Sequence, residues 1–202
     1  MTGIAFWGDS LVQGMINPTD SPGVWTKHNT FDGGLSGDTG NQIKVRFLAD
    51  TSRRHWVHVI WAGQNVTTNQ DLKDSIAAIV DKISHGKFLV ISTINAGMTP
   101  IDRGPAGSRY LDKMEANAYF ATLYGSNYYD LHGALVDYGI SINDTQSVSY
   151  DAPPSTYQPT DIHLTGPGGY LKCNQLIYAK LNTLGYLDQT VTNYQITRSG
   201  GV

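Results

Sequence analysis

The apolar residues of this chain form short continuous runs that alternate with helical patterns. The runs over residues 57–61 and 88–91 are nearly uninterrupted and rich in β-branched residues, which is typical of strands buried on both faces. The alternation predicts a parallel sheet covered by helices. The predicted strands are residues 4–7, 30–32, 57–61, 88–94 and 128–131.

The segments between the strands carry apolar residues at helical spacing. The clearest pattern comprises Tyr170, Cys173, Ile177, Leu181 and Leu184. Another comprises Leu72, Ile76, Ile79, Val80 and Ile83. We expect this helix to end at Gly86, and we predict further helices over 111–124, over 170–184 and, more briefly, around residues 43–47. Residues 98–109 and 138–159 lack a period and contain several prolines, so they are predicted as long loops that flank a site.

The length and composition predict one compact domain. A chain of 202 residues, with 40% hydrophobic and 15% charged residues, can bury a substantial core and is unlike a charge-driven disordered chain. We assign residues 1–188 to this domain. Residues 189–202 are polar and are interpreted as a C-terminal tail or linker, with an edge strand as the alternative.

Charge and apolar content disfavour several classes of partner. The net charge is −3 and no cationic face is concentrated in the sequence, which argues against nucleic-acid binding. No run reaches the ~20 apolar residues of a membrane span, and the first residues do not resemble a signal peptide. A cytosolic protein and a domain of a larger or secreted protein both stay open. The histidines and Cys173 have no metal-ligand spacing, and nothing in the sequence indicates an oligomeric state.

Three polar segments directly follow the first three predicted strands. They are Gly-Asp-Ser-Leu at 8–11, Ser-Gly-Asp-Thr at 36–39 and Gly-Gln-Asn at 63–65. Ligands of open parallel sheets bind beyond the carboxyl ends of the strands, so the three segments are expected to meet at one edge. Asp-Ile-His at 161–163 precedes the last helix, which can dock beside the first strand.

Each of these segments contains a residue type that acyl transfer needs. Ser10 is the candidate nucleophile, and a serine hydroxyl requires a base to take its proton. His163 is the candidate base, since an unperturbed pKa of about 6.5 lets it accept and return a proton near neutral pH. Asp161 is the candidate that orients the imidazole.

A tetrahedral acyl intermediate also needs hydrogen-bond donors for its oxyanion. The candidates are the backbone N–H groups of Ser10 and Gly37 and the side-chain amide of Asn65. Gly37 suits this role because no Cβ blocks the close approach of a ligand to its backbone.

The four segments, in this order, resemble those of the SGNH or GDSL-type esterases and lipases, which are named for catalytic Ser, Gly, Asn and His. The resemblance covers nearly the whole chain. It implies an α/β fold, a flavodoxin-like three-layer α/β/α sandwich with a central parallel sheet of about five strands. It also implies hydrolysis of acyl esters without a metal or another cofactor.

The sequence departs from the family pattern at two positions. Val66 follows Asn65, where the family usually has Asp, and this removes an ancillary polar contact. Only Ile162 separates Asp161 from His163, whereas the family usually has two residues there. A backbone carbonyl or Asp151 is therefore an alternative partner for the imidazole, which would make the site a Ser-His dyad.

We predict a serine ester hydrolase that works through an acyl-enzyme on short acyl esters, above all O-acetyl groups of carbohydrate. The loops are polar and aromatic, and no long apolar segment is present to hold a fatty chain. The expected partner is thus a small-molecule or glycan ester. Two alternatives are a lipase or thioesterase of the same fold and a non-catalytic glycan-binding module with a degenerate site.

Overall fold

A parallel β-sheet lies at the centre of the protein in the computed structural model, which describes residues 3–16, 28–97, 107–159, 162–187 and 196–198. The described strands are β1 (Ile4–Gly8), β2 (Thr30–Gly34), β3 (Val57–Trp61), β4 (Phe88–Ile91), β5 (Tyr128–Tyr129) and β6 (Ile196–Arg198). They lie in the order β5-β4-β3-β1-β2-β6, and every pair is parallel. β1 is therefore an interior strand, flanked by β2 and β3.

Helices cover both faces of this sheet. They are α1 (Ser10–Met15), α2 (Gly40–Ala49), α3 (Asn69–Val80), α4 (Ser108–Tyr124), α5 (Leu131–Ser141), α6 (Thr145–Tyr150) and α7 (Leu171–Thr183). Helices α1, α5 and α7 pack on one face of the sheet, and α2, α3 and α4 pack on the other. The predicted three-layer α/β/α sandwich is confirmed.

Each interior strand contributes alternate residues to the two faces. In β1, Ile4 and Phe6 pack with α1 and α7, whereas Ala5 and Trp7 pack with α2 and α3. Because successive strand side chains point to opposite faces, a strand covered on both sides needs apolar residues throughout. This explains the uninterrupted apolar runs in the sequence.

Part of the predicted loop 138–159 is helical. Helix α5 runs to Ser141 and α6 follows it, so the prediction of one continuous loop was wrong. Two glycines within α5 and the polar sequence of α6 conceal a helical period. Both helices begin at an Asp cap: the side chains of Asp130 and Asp144 accept hydrogen bonds from backbone N–H groups of the first turn.

Several predicted boundaries also differ from the structure. β5 ends at Tyr129 rather than at residue 131, because Asp130 caps α5 and Leu131 begins it. β4 ends at Ile91, three residues before the predicted end. Helix α3 ends at Val80. After it, the Lys82 N–H donates to the Ile79 carbonyl and the Ile83 N–H donates to the Val80 carbonyl, so the hydrogen bonds span three residues instead of four. Ile83 stays buried in the same cluster as α3, which is why the apolar pattern outlasts the helix.

The C-terminal segment contributes one described strand. Residues 196–198 pair with β2 as β6, while the assignment of 189–202 as a tail or linker stays a prediction. None of the helices among the described residues combines the length and the apolar character that a membrane crossing requires.

His58 is a buried histidine in the middle of β3. Its Nδ1 accepts a hydrogen bond from Trp7 Nε1 at 3.1 Å, and its ring meets that of Phe47 edge-on at 5.2 Å between centroids. Burial lowers the pKa of His58 to about 4, and His85 acts in the same direction. The folded protein therefore holds this imidazole neutral.

A His58→Asn variant is expected to be less sensitive to acid than the wild type. The unfolded state binds a proton at His58 near pH 6.5, whereas the folded state resists it down to about pH 4. The contribution of neutral His58 to stability is thus complete above pH 6.5 and is lost as the pH falls towards 4. The side-chain carbonyl of Asn can accept the hydrogen bond from Trp7, but Asn does not bind a proton in this pH range.

The measurement is the free energy of unfolding in urea across this pH range. All other titrations are common to the two proteins and cancel in the difference between their profiles. As the pH falls from 6.5 to 4, the wild type should lose more free energy of unfolding than the variant does. Profiles that stay parallel over this range would contradict a neutral, buried His58.

Candidate active site

Ser10 is held at the carboxyl edge of the sheet by the turn from β1 into α1. Asp9 caps this helix, and its Oδ1 accepts the Leu11 N–H at 3.0 Å. Ser10 is the first helical residue, so its N–H has no carbonyl one turn earlier within the helix. The sequence thus presents a serine hydroxyl and a backbone donor at the same point.

Helix α1 is fixed against the start of α7. A Cβ added at Gly14 would lie 2.5 Å from the Tyr170 ring, so only glycine allows this close approach. Asn174 Nδ2 donates to the Met15 carbonyl at 2.8 Å. The expected docking of the last helix beside β1 therefore places the loop before α7 next to Ser10.

Ser10 and His163, which are far apart in the sequence, form a hydrogen-bond contact. His163 Nε2 lies 3.0 Å from Ser10 Oγ, across 153 positions of sequence. His163 is solvent-exposed and Ser10 is partly buried. A histidine nitrogen at this distance can take the hydroxyl proton directly.

A buried glutamine anchors the loop that carries His163. Gln158 is fully buried, and its Nε2 donates to the carbonyls of Asn95 at 3.1 Å and Ile162 at 3.3 Å. Its Oε1 accepts the Gly97 N–H at 3.2 Å. Ile162 directly precedes His163, so Gln158 helps to set the position of the base. Sequence reasoning missed Gln158, because nothing in its local sequence marks it.

Asp161 and Asp151 are the two carboxylates considered as partners of His163. Asp161 lies outside the described residues, so its role stays a prediction. The alternative, Asp151, is engaged elsewhere: its Oδ2 accepts from the Tyr110 hydroxyl at 2.8 Å and lies 3.2 Å from His132 Nε2. The hydrogen bond with His132 holds the pKa of Asp151 below its usual range.

Gly37 occupies an exposed turn between β2 and α2. The Asp38 N–H donates to the Leu35 carbonyl at 3.2 Å, and Gly37 has a φ of +83°, as in the third residue of a type II turn. A Cβ at Gly37 would meet no protein atom within 4 Å. Glycine is therefore needed here for its backbone conformation, and its N–H lies in an open turn at the edge of the site.

Asn65 links the loop after β3 to this same turn. Its Nδ2 donates to the Asp38 carbonyl at 3.3 Å. An amide nitrogen has two hydrogens, so the bond to Asp38 leaves one for a ligand. Ser10, Gly37 and Asn65 thus lie on three loops that begin at neighbouring strands, as predicted.

Asp9 is a buried carboxyl group beside these residues. It is 1% exposed, and burial raises its pKa to about 6, against the opposing effects of the Leu11 and Gln64 N–H groups and of His163. Asp9 supports the site through its cap of α1, which holds Ser10 at the first position of the helix.

A polar groove of about 190 Å³ lies between the loop after β3 and the start of α4, and its lining includes none of Ser10, Gly37, Asn65 and His163. Gln64 and Val66, on either side of Asn65, form part of its wall. The first turns of α4 form another part, through three charged side chains: Arg109, Asp112 and Lys113.

Comparison with known proteins gives matches in structure but not in sequence. Neither a protein-family model nor a curated protein sequence matches this chain. A GDSL-like lipase from Bacteroides thetaiotaomicron is similar in structure, with a TM-score of 0.70 and 20% identity over 91% of this chain and 89% of that one.

Two further similar structures carry names that refer to acetylated glycans. An acetyl xylan esterase has a TM-score of 0.64 and 16% identity, over 90% of this chain and 98% of that one. The C-terminal catalytic domain of peptidoglycan O-acetyltransferase A from Streptococcus pneumoniae has a TM-score of 0.59 and 17% identity, over 91% and 94%. This chain therefore has the fold of the GDSL-type, or SGNH, esterases and lipases.

Proposed function

We propose that this protein is a serine ester hydrolase of the SGNH type that works through an acyl-enzyme. The observation that carries the proposal is the 3.0 Å contact between His163 Nε2 and Ser10 Oγ at the carboxyl edge of the sheet. A degenerate binding module has no need to hold a serine and a histidine in this geometry. The fold shared with esterases supports the same conclusion.

In the first step, Ser10 is acylated. His163 takes the proton from Ser10 Oγ while the oxygen attacks the ester carbonyl carbon. The oxyanion of the tetrahedral intermediate is bound by the N–H groups of Ser10 and Gly37 and by Asn65 Nδ2. The imidazolium then gives its proton to the departing alkoxide, which leaves as an alcohol.

In the second step, water releases the acid. His163 takes a proton from water as the water oxygen attacks the acyl carbonyl, and the same oxyanion donors stabilise the second intermediate. Collapse of this intermediate returns the proton to Ser10 Oγ. Asp161 is proposed to orient the imidazole and to stabilise its cation.

We propose short acyl esters, above all O-acetyl groups on carbohydrate, as the substrates. Two similar structures are named for acetyl xylan and for peptidoglycan O-acetyl transfer. The loops of the sequence are polar and aromatic, and no long apolar segment is present to hold a fatty chain.

A fluorophosphonate probe is expected to modify Ser10 of the folded protein. The probe phosphorus is attacked by an activated serine, so a mass increase should appear on the peptide containing Ser10 and vanish in Ser10→Ala. Ser84→Ala is the matched control, since this exposed serine lies in the turn before β4, away from the carboxyl ends of the strands. Folded wild type that stays unlabelled would rule out the proposed enzyme.

An Asp161→Asn variant is expected to label more slowly, by about 10²-fold or more, because a neutral amide no longer stabilises the imidazolium. Asp151→Asn is the matched comparison and should lower stability through its bonds to His132 and Tyr110 while labelling stays close to wild type. Probe kinetics measure both. The reverse pattern would assign the orienting role to Asp151 and overturn that of Asp161.

Hydrolysis of p-nitrophenyl esters should be fastest for acetate and fall through butyrate to octanoate. The sequence has no long apolar segment to contact a long acyl chain, so each added methylene should gain little binding. Values of kcat/KM for the three esters, together with release of acetate from acetylated glycans, measure this preference. A maximum at octanoate would favour a lipase or thioesterase instead.

A further inference from the structure

One arginine of α2 binds acceptors from both loops that carry Ser10 and Gly37. Arg46 Nη2 donates to the Gly8 carbonyl at 3.0 Å, at the end of β1. Its Nη1 donates to the Gly33 carbonyl at 2.5 Å, near the end of β2. Its Nε donates to Asp38 Oδ2 at 2.7 Å, immediately after Gly37.

The contact with Asp38 extends the network to the third oxyanion donor. The Asp38 carboxylate pairs with Arg46, while its backbone carbonyl accepts Asn65 Nδ2 at 3.3 Å and its N–H closes the turn around Gly37. The same residue thus bonds to the guanidinium, the turn and the Asn65 amide. A movement of Asp38 would displace both Gly37 and Asn65.

The guanidinium also compensates negative charge beside the site. The Asp38 side chain is 8% exposed, and an unpaired carboxylate at this position would oppose an oxyanion. The carbonyl oxygens of Gly8 and Gly33, near the carboxyl ends of β1 and β2, add partial negative charge. A positive charge bonded to all three acceptors offsets this field without touching the substrate.

We infer that Arg46 is a positioning residue for the oxyanion site, an inference that rests on the proposed function. It fixes the Gly37 turn and the Asn65 amide relative to Ser10, and it neutralises Asp38. The role needs a planar group with several donors in fixed directions, which Arg supplies and Lys does not. Arg46→Lys should therefore behave like a loss of function despite its retained charge.

The test compares Arg46→Ala and Arg46→Lys with wild type on p-nitrophenyl acetate. Loss of an oxyanion donor itself lowers kcat by about 10²–10³-fold. Since Arg46 acts through such donors, kcat should fall by roughly 10-fold to 100-fold, with KM changed by less than about threefold. Rates are expressed per folded protein, measured from the unfolding transition.

Chemical rescue separates positioning from general stability. Millimolar methylguanidine should restore part of kcat in Arg46→Ala, because the guanidinium site is partly accessible, with 24% of the side chain exposed. Ammonium at the same ionic strength should not. The matched control is Arg54→Ala, which removes a bond to the Leu48 carbonyl and packing on Phe47. It should destabilise the protein and leave kcat unchanged.

The outcomes distinguish this inference from the proposed function. If wild type labels at Ser10 but folded Arg46→Ala keeps kcat within about twofold, Arg46 is only structural and the inference is overturned. An equal loss of kcat in Arg54→Ala would also overturn it. If wild type neither labels nor hydrolyses esters, the proposed function fails, and the inference fails with it.

Discussion

The register of three neighbouring strands is the constraint on which the site depends. Gly8 of β1 lies opposite Gly34 of β2 on one side and opposite Trp61 of β3 on the other. The loops that carry the nucleophile and two oxyanion donors therefore start side by side. Glycine is required at this junction, since a Cβ at Gly8 would lie 2.4 Å from the Trp61 carbonyl oxygen and one at Gly34 would lie 2.3 Å from the Gln13 nitrogen.

The base reaches this edge by a separate route. Packing of α1 against α7 brings the loop before α7 to Ser10. Buried Gln158 fixes that loop through its hydrogen bond to the Ile162 carbonyl. The apolar cluster beneath it joins β1, α1 and α7 in one core. The nucleophile and the base are therefore aligned by the same packing that stabilises the fold, and a change in this core would alter the distance between them.

Much of this architecture could be predicted from the sequence, for identifiable physical reasons. Interior strands need apolar residues on both faces, so β1 and β3 appear as continuous runs, and the polar residues that follow them are necessarily at the sheet edge. Helices α5 and α6 escaped prediction because glycine and polar residues mask their helical period. The Asp caps at their starts are the sequence signal that remains. Gln158 and Arg46 have no local signature, since each has a partner far away in the chain: Asn95 is 63 positions from Gln158, and Gly8 is 38 positions from Arg46.

The open turn at Gly37 has a consequence for the handedness of the residue it accepts. Its φ of +83° is unfavourable for an L-residue, yet the space around an added methyl group is empty of protein atoms to 4 Å. A D-residue favours positive φ, the mirror image of the range that L-residues favour. D-alanine, introduced by chemical synthesis, would therefore suit the conformation of this turn, whereas L-alanine has the space but not the conformation. Chirality, rather than volume, is what favours glycine at this position.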